Sequence, residues 1–401
     1  MGNPCNQGSQ NGSDQSIAIE ESGADRDRQV AIQAVTRAWD YLHAKHLKND
    51  LLQGPDPVGR INGRLWRFMR NYAAFLPDKE HIFLQTQGYW ILTNWILFEA
   101  TRNEMYRSAA LACSNSVIAL QREDGAWDYP SISYERNGLV ATVEGSWAGF
   151  GLLATYRHER LDACLGAVER WNIFVNRNIG YESFTHPELG ECEAVNYYYP
   201  KPRGMVPNNS IIVFSLGERQ NSLTGRNDYS AHWKGLLNFI RVSQMDSGEW
   251  YYHYPDRQHY LCYQYNAYQF LDLASAYRHS RHEDLMVMLR KSADFLREGQ
   301  LENGACKNRC NHSTPEFVYH TAVLGNAFLD AYQLGLGGEF LECSRNAIRH
   351  VVSQQKKDGS WIHSEGDYGG LLSDKRSYPR YLAMTMYHVA RAAWPDLTRN
   401  R

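Results

Sequence analysis

Residues 355–361 read Gln355-Lys356-Lys357-Asp358-Gly359-Ser360-Trp361, in which three residues separate a glutamine from a glycine and a tryptophan follows two positions later. This string recurs, in complete or degenerate form, at Gln121–Trp127, Gln244–Trp250, Gln300–Cys306, Asn176–Gly180 and near Gly63. The glycines are 55–68 residues apart, which is the length of one supersecondary unit. The sequence therefore predicts about six copies of a single unit.

Apolar residues recur at helical spacing between these strings. Twelve helical stretches are predicted, at 31–49, 82–102, 105–121, 142–157, 161–178, 207–219, 227–243, 260–279, 282–299, 317–334, 338–355 and 378–393. One helix of each unit runs into the string, and the other follows an aromatic-rich segment. Short links between units imply antiparallel helix pairs. Six such pairs, each with an inner and an outer helix, predict an all-α (α/α)6 toroid.

The string itself is expected to be a turn with a fixed role for each residue. Glycine supplies the left-handed conformation that ends a helix. The glutamine is expected to bond backbone groups freed at that end, and the tryptophan is expected to pack against the neighbouring helix pair. The repeat would then both close each unit and join it to the next.

Composition places the chain among globular proteins. Of its 401 residues 43% are hydrophobic, and the net charge of −2 provides no field for nucleic acid. No apolar run is long enough for a membrane span. The polar start lacks a signal peptide and the eight cysteines show no disulfide framework, so we expect a cytoplasmic protein. Residues 1–26 are predicted to be a disordered tail and residues 27–401 a single toroid domain.

The repeated string resembles the QW motif of the terpenoid cyclase and protein prenyltransferase superfamily. Its Asp358-Gly359-Ser360-Trp361 portion is also similar to turns of six-hairpin glycan enzymes. Both resemblances imply an α/α toroid over nearly the whole chain. They imply different activities, because unrelated chemistries share this scaffold.

The active site is expected where the inner helices begin. Their N-termini should converge at one mouth, where free amides and helix dipoles favour an anionic ligand. Four polar residues at these helix starts are predicted to be catalytic, namely Glu144, His320, Tyr378 and Arg380. Eight more are predicted to bind substrate, namely Asn208, Asn209, Tyr260, Tyr265, Asn266, Asp367, Tyr368 and Arg376.

Structural roles are open for several of these residues. Asn208 or Asn209 can cap a helix, and Glu144 can complement a helix dipole. His320 can be a core histidine with its hydrogen bonds satisfied. Arg380 is the hardest to explain this way, because a cation in the first turn opposes the helix dipole. We therefore expect Arg380 to bind an anionic group, with Asp367 or Asp374 as an alternative partner.

A zinc site is a weaker interpretation. Cys306, Cys310, His312 and His320 supply suitable atoms, and Tyr319-His320-Thr321 resembles the zinc region of protein prenyltransferases. Yet Cys-x-x-x-Cys-x-His is not a standard zinc spacing, and Glu316 would have to replace the aspartate of that family. We predict no metal and no cofactor.

Three functions remain open. The first is a carbohydrate-active epimerase, lyase or hydrolase acting on an acidic glycan or glycoconjugate in the toroid cavity, with an anionic small molecule or oligosaccharide as substrate. The stretch 196–212 is similar to glucuronyl C5-epimerases, and hydrolysis would need two carboxylates such as Glu144 and Asp367. The second is a terpenoid-cyclase-like enzyme with a prenyl substrate, although the Asp-x-Asp-Asp motif of those cyclases is absent. The third is a non-catalytic binding toroid. A polar cavity wall would favour the first, and a dry wall of Phe, Trp and Leu the second.

Overall fold

The computed structural model describes residues 11–57, 80–130, 138–201, 204–226, 230–256, 261–307, 310, 317–367 and 372–398. For residues 11–24, 230, 366, 367 and 372 it describes the backbone alone. The expected copy of the repeat near Gly63 lies outside the described ranges.

Twelve principal helices alternate along the described chain. The outer helices are α1 (Asn11–His46), α3 (Glu104–Ala119), α5 (Asp162–Phe174), α7 (Ser230–Ser243), α9 (Glu283–Arg297) and α11 (Glu339–Ser353). The inner helices are α2 (Leu84–Thr101), α4 (Thr142–Glu159), α6 (Pro207–Thr224), α8 (Tyr263–Ser280), α10 (Val318–Gln333) and α12 (Pro379–Ala393). A π-helical turn at Val175–Ile179 follows α5, and a short helix α13 spans Pro395–Thr398.

The inner helices form a closed ring. Each packs on the next in chain order from α2 to α12, and α12 packs back on α2. The ring buries nearly every residue in the first four turns of α2, whereas the outer helices bury a single face. This difference follows from position, because an inner helix has neighbours on all sides. The predicted (α/α)6 toroid is confirmed.

Within the described ranges, four two-stranded sheets lie between the helices. Strands β1 (Leu47–Lys48) and β2 (Leu51–Leu52) pair, as do β3 (Val140–Ala141) and β6 (Tyr198–Tyr199). The longest hairpin joins β4 (Tyr181–His186) to β5 (Gly190–Val195), and β7 (Ser364–Asp367) pairs with β8 (Leu372–Asp374). The aromatic-rich segments of the sequence are thus partly extended, and they lead the chain towards the inner helices.

The repeated string is a small hairpin that joins two units. Gln355 Nε2 donates to the carbonyl of Gly359 and to Ala34 O of the adjacent outer helix, both at 2.8 Å. Trp361 Nε1 donates back to Val351 O at 2.8 Å. The other three complete strings repeat the glutamine contacts, with Gln121, Gln244 and Gln300 as donors. The expected role of the glutamine, to bond backbone groups at this turn, is confirmed.

The sequence predicts that the glycine of each string ends the preceding helix, and this prediction is wrong for Gly359. Helix α11 stops at Ser353, before the string begins, and Gly359 lies at the tip of the hairpin with φ of 90°. The left-handed helix caps are instead at the ends of inner helices, at Arg102, Arg160 and Arg281 with φ of 55–58° and at Gly225 with φ of 66°.

Gly359 is required for two reasons, and its replacement tests both. Its φ is positive, and a Cβ there would lie 2.3 Å from the carbonyl oxygen of Arg37 on the next outer helix. We expect Gly359→Ala to lower the free energy of unfolding by more than about 1 kcal/mol in urea denaturation. Gly338→Ala is the control, because no described atom lies within 4 Å of a Cβ at that position. Equal stability of the two variants would contradict this interpretation of the turn.

Helix α1 extends into the segment predicted to be a disordered tail. Its backbone is helical from Asn11, so residues 11–26 belong to this element in the structure, whereas residues 1–10 lie outside the described ranges. The domain boundary at residue 26 stays a prediction. Among the described helices, none is long and apolar enough to cross a membrane.

Candidate active site

The first turns of the inner helices meet at one end of the ring, here called the mouth. Arg380, the second residue of α12, contacts the second residue of α2 and the third residue of α4. Tyr319 of α10 packs on Tyr381 of α12, with ring centroids 4.6 Å apart. These contacts show that helices distant in sequence present their N-termini together, as predicted.

Arg380 is the centre of a polar cluster on the α2 side of the mouth. Its Nε and Nη2 donate to Gln85 Oε1 at 3.1 and 2.8 Å, and Nη2 also donates to Glu144 Oε1 at 3.0 Å. Asp56 Oδ2 lies 3.8 Å from Nη1. The guanidinium also lies over the Phe83 ring, 4.2 Å from its centroid, a favourable cation–π contact.

Glu144 completes this cluster and supports the neighbouring helix. Its Oε2 accepts a hydrogen bond from the backbone N–H of Gln85 at 2.8 Å, so it complements the dipole of α2 rather than that of its own helix. Burial raises the pKa of Glu144, and Asp56 adds to this, while Arg380 and the Gln85 amide oppose it. Burial lowers the pKa of Arg380, but Glu144, Tyr381, Tyr129 and Asp56 together raise this pKa well above its usual value.

The second cluster is aromatic and lies between α10 and α12. His363, which lies between the string and β7, packs against Tyr378 and Tyr381 with ring centroids 5.0 and 4.8 Å away. Behind it lies His320, which packs on Tyr319 at 4.4 Å. Burial, together with His363, lowers the pKa of His320 to about 3, so this imidazole is neutral at pH 7.

A belt of tyrosines continues around the other side of the mouth. Tyr129 packs on Phe83 of the first cluster and on Tyr198, with centroids 6.0 and 6.2 Å away. Tyr198 contacts Tyr197 at 4.5 Å. The belt ends with a pair 5.3 Å apart, Tyr252 and the predicted substrate-binding residue Tyr265. Aromatic faces with hydroxyl edges line this part of the wall.

Two predicted binding residues hold the backbone instead of facing the mouth. Asn209 Nδ2 donates to Val195 O and Asn196 O at 3.1 and 2.7 Å, and it fixes the end of β5. Asn266 accepts from the N–H of Trp250 and donates to Trp250 O and Cys262 O. Both residues are fully buried. Both residues anchor the segment that precedes an inner helix, and their assignment to the substrate site stays a prediction.

Arg376, predicted to bind substrate, is paired with a carboxylate in the structure. Arg376 Nε and Nη2 donate to the two carboxylate oxygens of Asp374 at 3.0 and 3.1 Å. Tyr378 donates its hydroxyl hydrogen to Asp374 Oδ2 at 3.0 Å. Asp374 thus balances the charge of Arg376 and fixes the ring of Tyr378, whereas Glu144 and Asp56 are the carboxylates that offset Arg380.

Several predicted residues stay untested. Tyr260, Tyr368, His312 and Glu316 lie outside the described ranges, and only the backbone of Asp367, paired with Leu372, is described. Asn208 is the half-buried second residue of α6, at the mouth end of that helix. Within the described ranges no group of three His, Cys, Asp or Glu side chains is arranged to hold a metal ion.

Four residues of the site were not predicted from the sequence, namely Gln85, Asp56, Tyr381 and His363. A signal for His363 was present in the repeat, because it stands two residues after Trp361. Tyr129 and Tyr252 occupy the same position after Trp127 and Trp250. In an extended segment such residues share a side, and here that side faces the ring. No comparable pattern marks Asp56.

Comparisons with solved structures support the fold. No protein-family model matches the chain, and no curated protein matches it in sequence. The structure is similar to a cellobiose 2-epimerase from Spirochaeta thermophila, with 12% sequence identity, 93% of this chain and 98% of that chain covered, and a TM-score of 0.65. It is also similar to a GH76 α-mannanase from Bacteroides thetaiotaomicron, with 11% identity, 92% of this chain and 97% of that chain covered, and a TM-score of 0.67. A polysaccharide lyase is similar as well, with 11% identity, 93% of this chain and 98% of that chain covered, and a TM-score of 0.62. At such low identity the likeness shows a shared toroid fold.

Proposed function

We propose that the chain is a carbohydrate-active enzyme that removes a proton from a sugar carbon next to a carbonyl or carboxyl group, as epimerases and lyases do. The observation that carries the proposal is the position of His363 at the mouth, between Tyr378 and Tyr381 and beside the Arg380 cluster. The similar structures are an epimerase, a mannanase and a lyase, which supports glycan chemistry for this scaffold.

Proton abstraction needs a base and a group that stabilises the resulting oxyanion. We assign the first role to His363. The pKa of His320 is too low for a good base, so His320 packs behind His363 as a neutral positioning residue. Burial and Asp56 raise the pKa of Tyr381, which keeps its hydroxyl protonated and able to donate to an oxyanion. Arg380 lies beside it, with Cζ 5.8 Å from the ring centroid.

Hydrolysis is less well supported by the described residues. Glycosidases generally use two carboxylates on opposite sides of the scissile bond. The carboxylates Glu144 and Asp56 lie on the same side of the mouth, around one guanidinium. Asp374, the third carboxylate described here, is engaged by Arg376 and Tyr378. The side chain of Asp367, the predicted partner of Glu144, is not described.

We propose a neutral rather than an acidic sugar at the mouth, so that proton abstraction next to a carbonyl, as in an epimerase, is favoured over elimination next to a carboxylate. The charge of Arg380 is balanced by Glu144, and Asp56 lies within 4 Å. The Arg376 charge is balanced by Asp374. The described wall therefore offers no excess of positive charge to an acidic glycan. The expectation of an anionic substrate came from the converging helix N-termini and from Arg380, whose charge Glu144 balances in the structure.

The isoprenoid alternative is less favoured, because it requires a dry wall of Phe, Trp and Leu. The mouth instead combines charged groups, amides and phenol hydroxyls. The resemblance of the strings to QW motifs is explained by their structural role in joining helix pairs. A cytoplasmic location stays a prediction.

Replacement of His363 tests the assigned base. We expect His363→Asn to lower the rate of product formation at least about 100-fold, because general base catalysis typically contributes that much. Screening neutral and uronate-containing oligosaccharides by mass spectrometry would first identify a converted substrate. His43→Asn, on the exposed face of α1, is the matched control and should keep full activity. Equal rates for the two variants would remove His363 from the mechanism.

A further inference from the structure

We propose that the ring holds a second ligand site, for an oxyanion such as phosphate or sulfate, in a chamber on its axis away from the mouth. All six inner helices contribute to the wall of this axial chamber. Its charged residues are Arg219, Asp272, Arg278, Asp330 and Arg391.

The chamber is separate from the candidate active site. Arg391 follows Arg380 by eleven residues on α12, which corresponds to about 16 Å along the helix axis. Between them lies an aromatic layer, in which Tyr89 and Tyr268 both pack on His388 with centroids 5.8 and 6.1 Å away. A ligand in the chamber would therefore occupy the opposite half of the ring from a sugar at the mouth.

Positive charge exceeds negative charge in this chamber. Asp330 is fully buried and accepts hydrogen bonds from Arg391 Nη2 at 2.8 Å and from Arg278 Nη1 at 3.1 Å. Arg219 provides a third guanidinium. Burial raises the pKa of Asp272 to about 8 despite Arg219, so this carboxyl is mostly protonated at neutral pH. Three cations thus face one ionised carboxylate within the described lining.

Two buried N–H donors in the chamber have no acceptor among the described residues. Arg391 is 6% exposed, and the described part of the chain offers no hydrogen-bond partner to its Nε. His388 is 1% exposed, and its Nδ1 accepts a hydrogen bond from Asn326 Nδ2 at 2.8 Å, which places the ring proton on Nε2. That N–H likewise has no described partner. Unpaired buried donors are costly, and an oxyanion would satisfy several at once.

A purely structural role explains these arginines less well. Cations near the C-termini of α8 and α12 do complement the helix dipoles. That role does not require three guanidinium groups in one chamber, and it leaves Arg391 Nε unpaired. The remaining wall, with Trp147, Phe150 and Tyr387, is aromatic and suits a ring attached to the anion.

Titration calorimetry on the full chain tests this site with inorganic phosphate, sulfate and glucose 6-phosphate. We expect one ligand per chain, with affinity at least about tenfold weaker in Arg219→Gln and in Arg391→Gln, because each removes charge-assisted hydrogen bonds. Arg241→Gln is the matched control, since it removes an arginine paired with Asp284 on the outer surface, and it should bind like the wild type. Tighter binding of the sugar phosphate than of phosphate would identify an ester as the ligand, and the reverse order a free anion.

A second variant keeps the test decisive if the arginine variants fail to fold. Ser275→Asp places a carboxylate in the chamber, where it should replace the ligand. We expect it to abolish phosphate binding without lowering the melting temperature. The proposal is overturned if no probe binds at about 10 mM, or if binding survives in Ser275→Asp and in folded arginine variants.

Discussion

Arg380→Ala is expected to abolish turnover and to destabilise the protein. Arg380 joins three inner helices through Gln85, Glu144 and its own position on α12. Its removal leaves the Glu144 carboxylate buried without a counter-ion, which should lower the free energy of unfolding by roughly 2–4 kcal/mol. The loss of stability is an effect that the sequence did not predict, because the sequence indicated only that Arg380 binds an anionic group.

A double variant separates the two effects. Glu144→Gln combined with Arg380→Gln removes both charges and leaves amides that can bond each other and the Gln85 backbone. We expect its unfolding free energy to lie within about 2 kcal/mol of the wild type, because neutral replacement of a buried pair costs less than breaking it. Turnover should remain lost. A double variant that is stable and active would show that the pair supports the fold alone.

Asp330→Asn is expected to have the largest effect on stability. The fully buried Asp330 is the shared acceptor for Arg278 and Arg391, and the amide would leave two guanidinium groups without a counter-ion. We expect a loss of about 3–5 kcal/mol in unfolding free energy, measured by urea denaturation at pH 7. Asp294→Asn, exposed on α9, should stay within about 0.5 kcal/mol of the wild type.

The pH dependence of this difference follows from the pKa of Asp330. Burial would raise that pKa, but Arg278 and Arg391 lower it below the usual value. A lowered folded-state pKa stabilises the protein above the unfolded-state pKa of about 3.9, and this stability is lost as the pH falls through the folded-state value. The wild type and Asp330→Asn should therefore converge in acid. A difference that stays constant from pH 7 to pH 3 would contradict the ion-pair explanation.

The ring could be predicted from the sequence because one signal is repeated. Gln121, Gln244, Gln300 and Gln355 make the same two backbone contacts, so the spacing of the strings fixes both the unit and its neighbour. The sequence also predicted where the inner helices begin, and therefore the position of the mouth. The β4–β5 hairpin was missed, since its alternation of residues is weak and the segment was interpreted only as aromatic-rich.

The partners of the site residues could not be predicted, because they come from distant units. Arg380 and Glu144 are 236 residues apart, and nothing local marks Asp56 as a third member. Asn209 and Asn266 are polar residues of the type expected in a binding site, yet each side chain forms hydrogen bonds with the backbone of the preceding segment. Polar residues at a helix start serve either purpose, and only packing distinguishes them.

The most direct test is to identify the product formed in deuterium oxide from a converted oligosaccharide. Proton abstraction at the mouth predicts either an epimerised product with one solvent deuterium bound to carbon, or an unsaturated product formed without addition of water. Mass spectrometry and proton NMR distinguish these, and both products should disappear in His363→Asn but not in His43→Asn. A product formed by addition of water across the glycosidic bond, with no deuterium on carbon, would contradict the proposed chemistry.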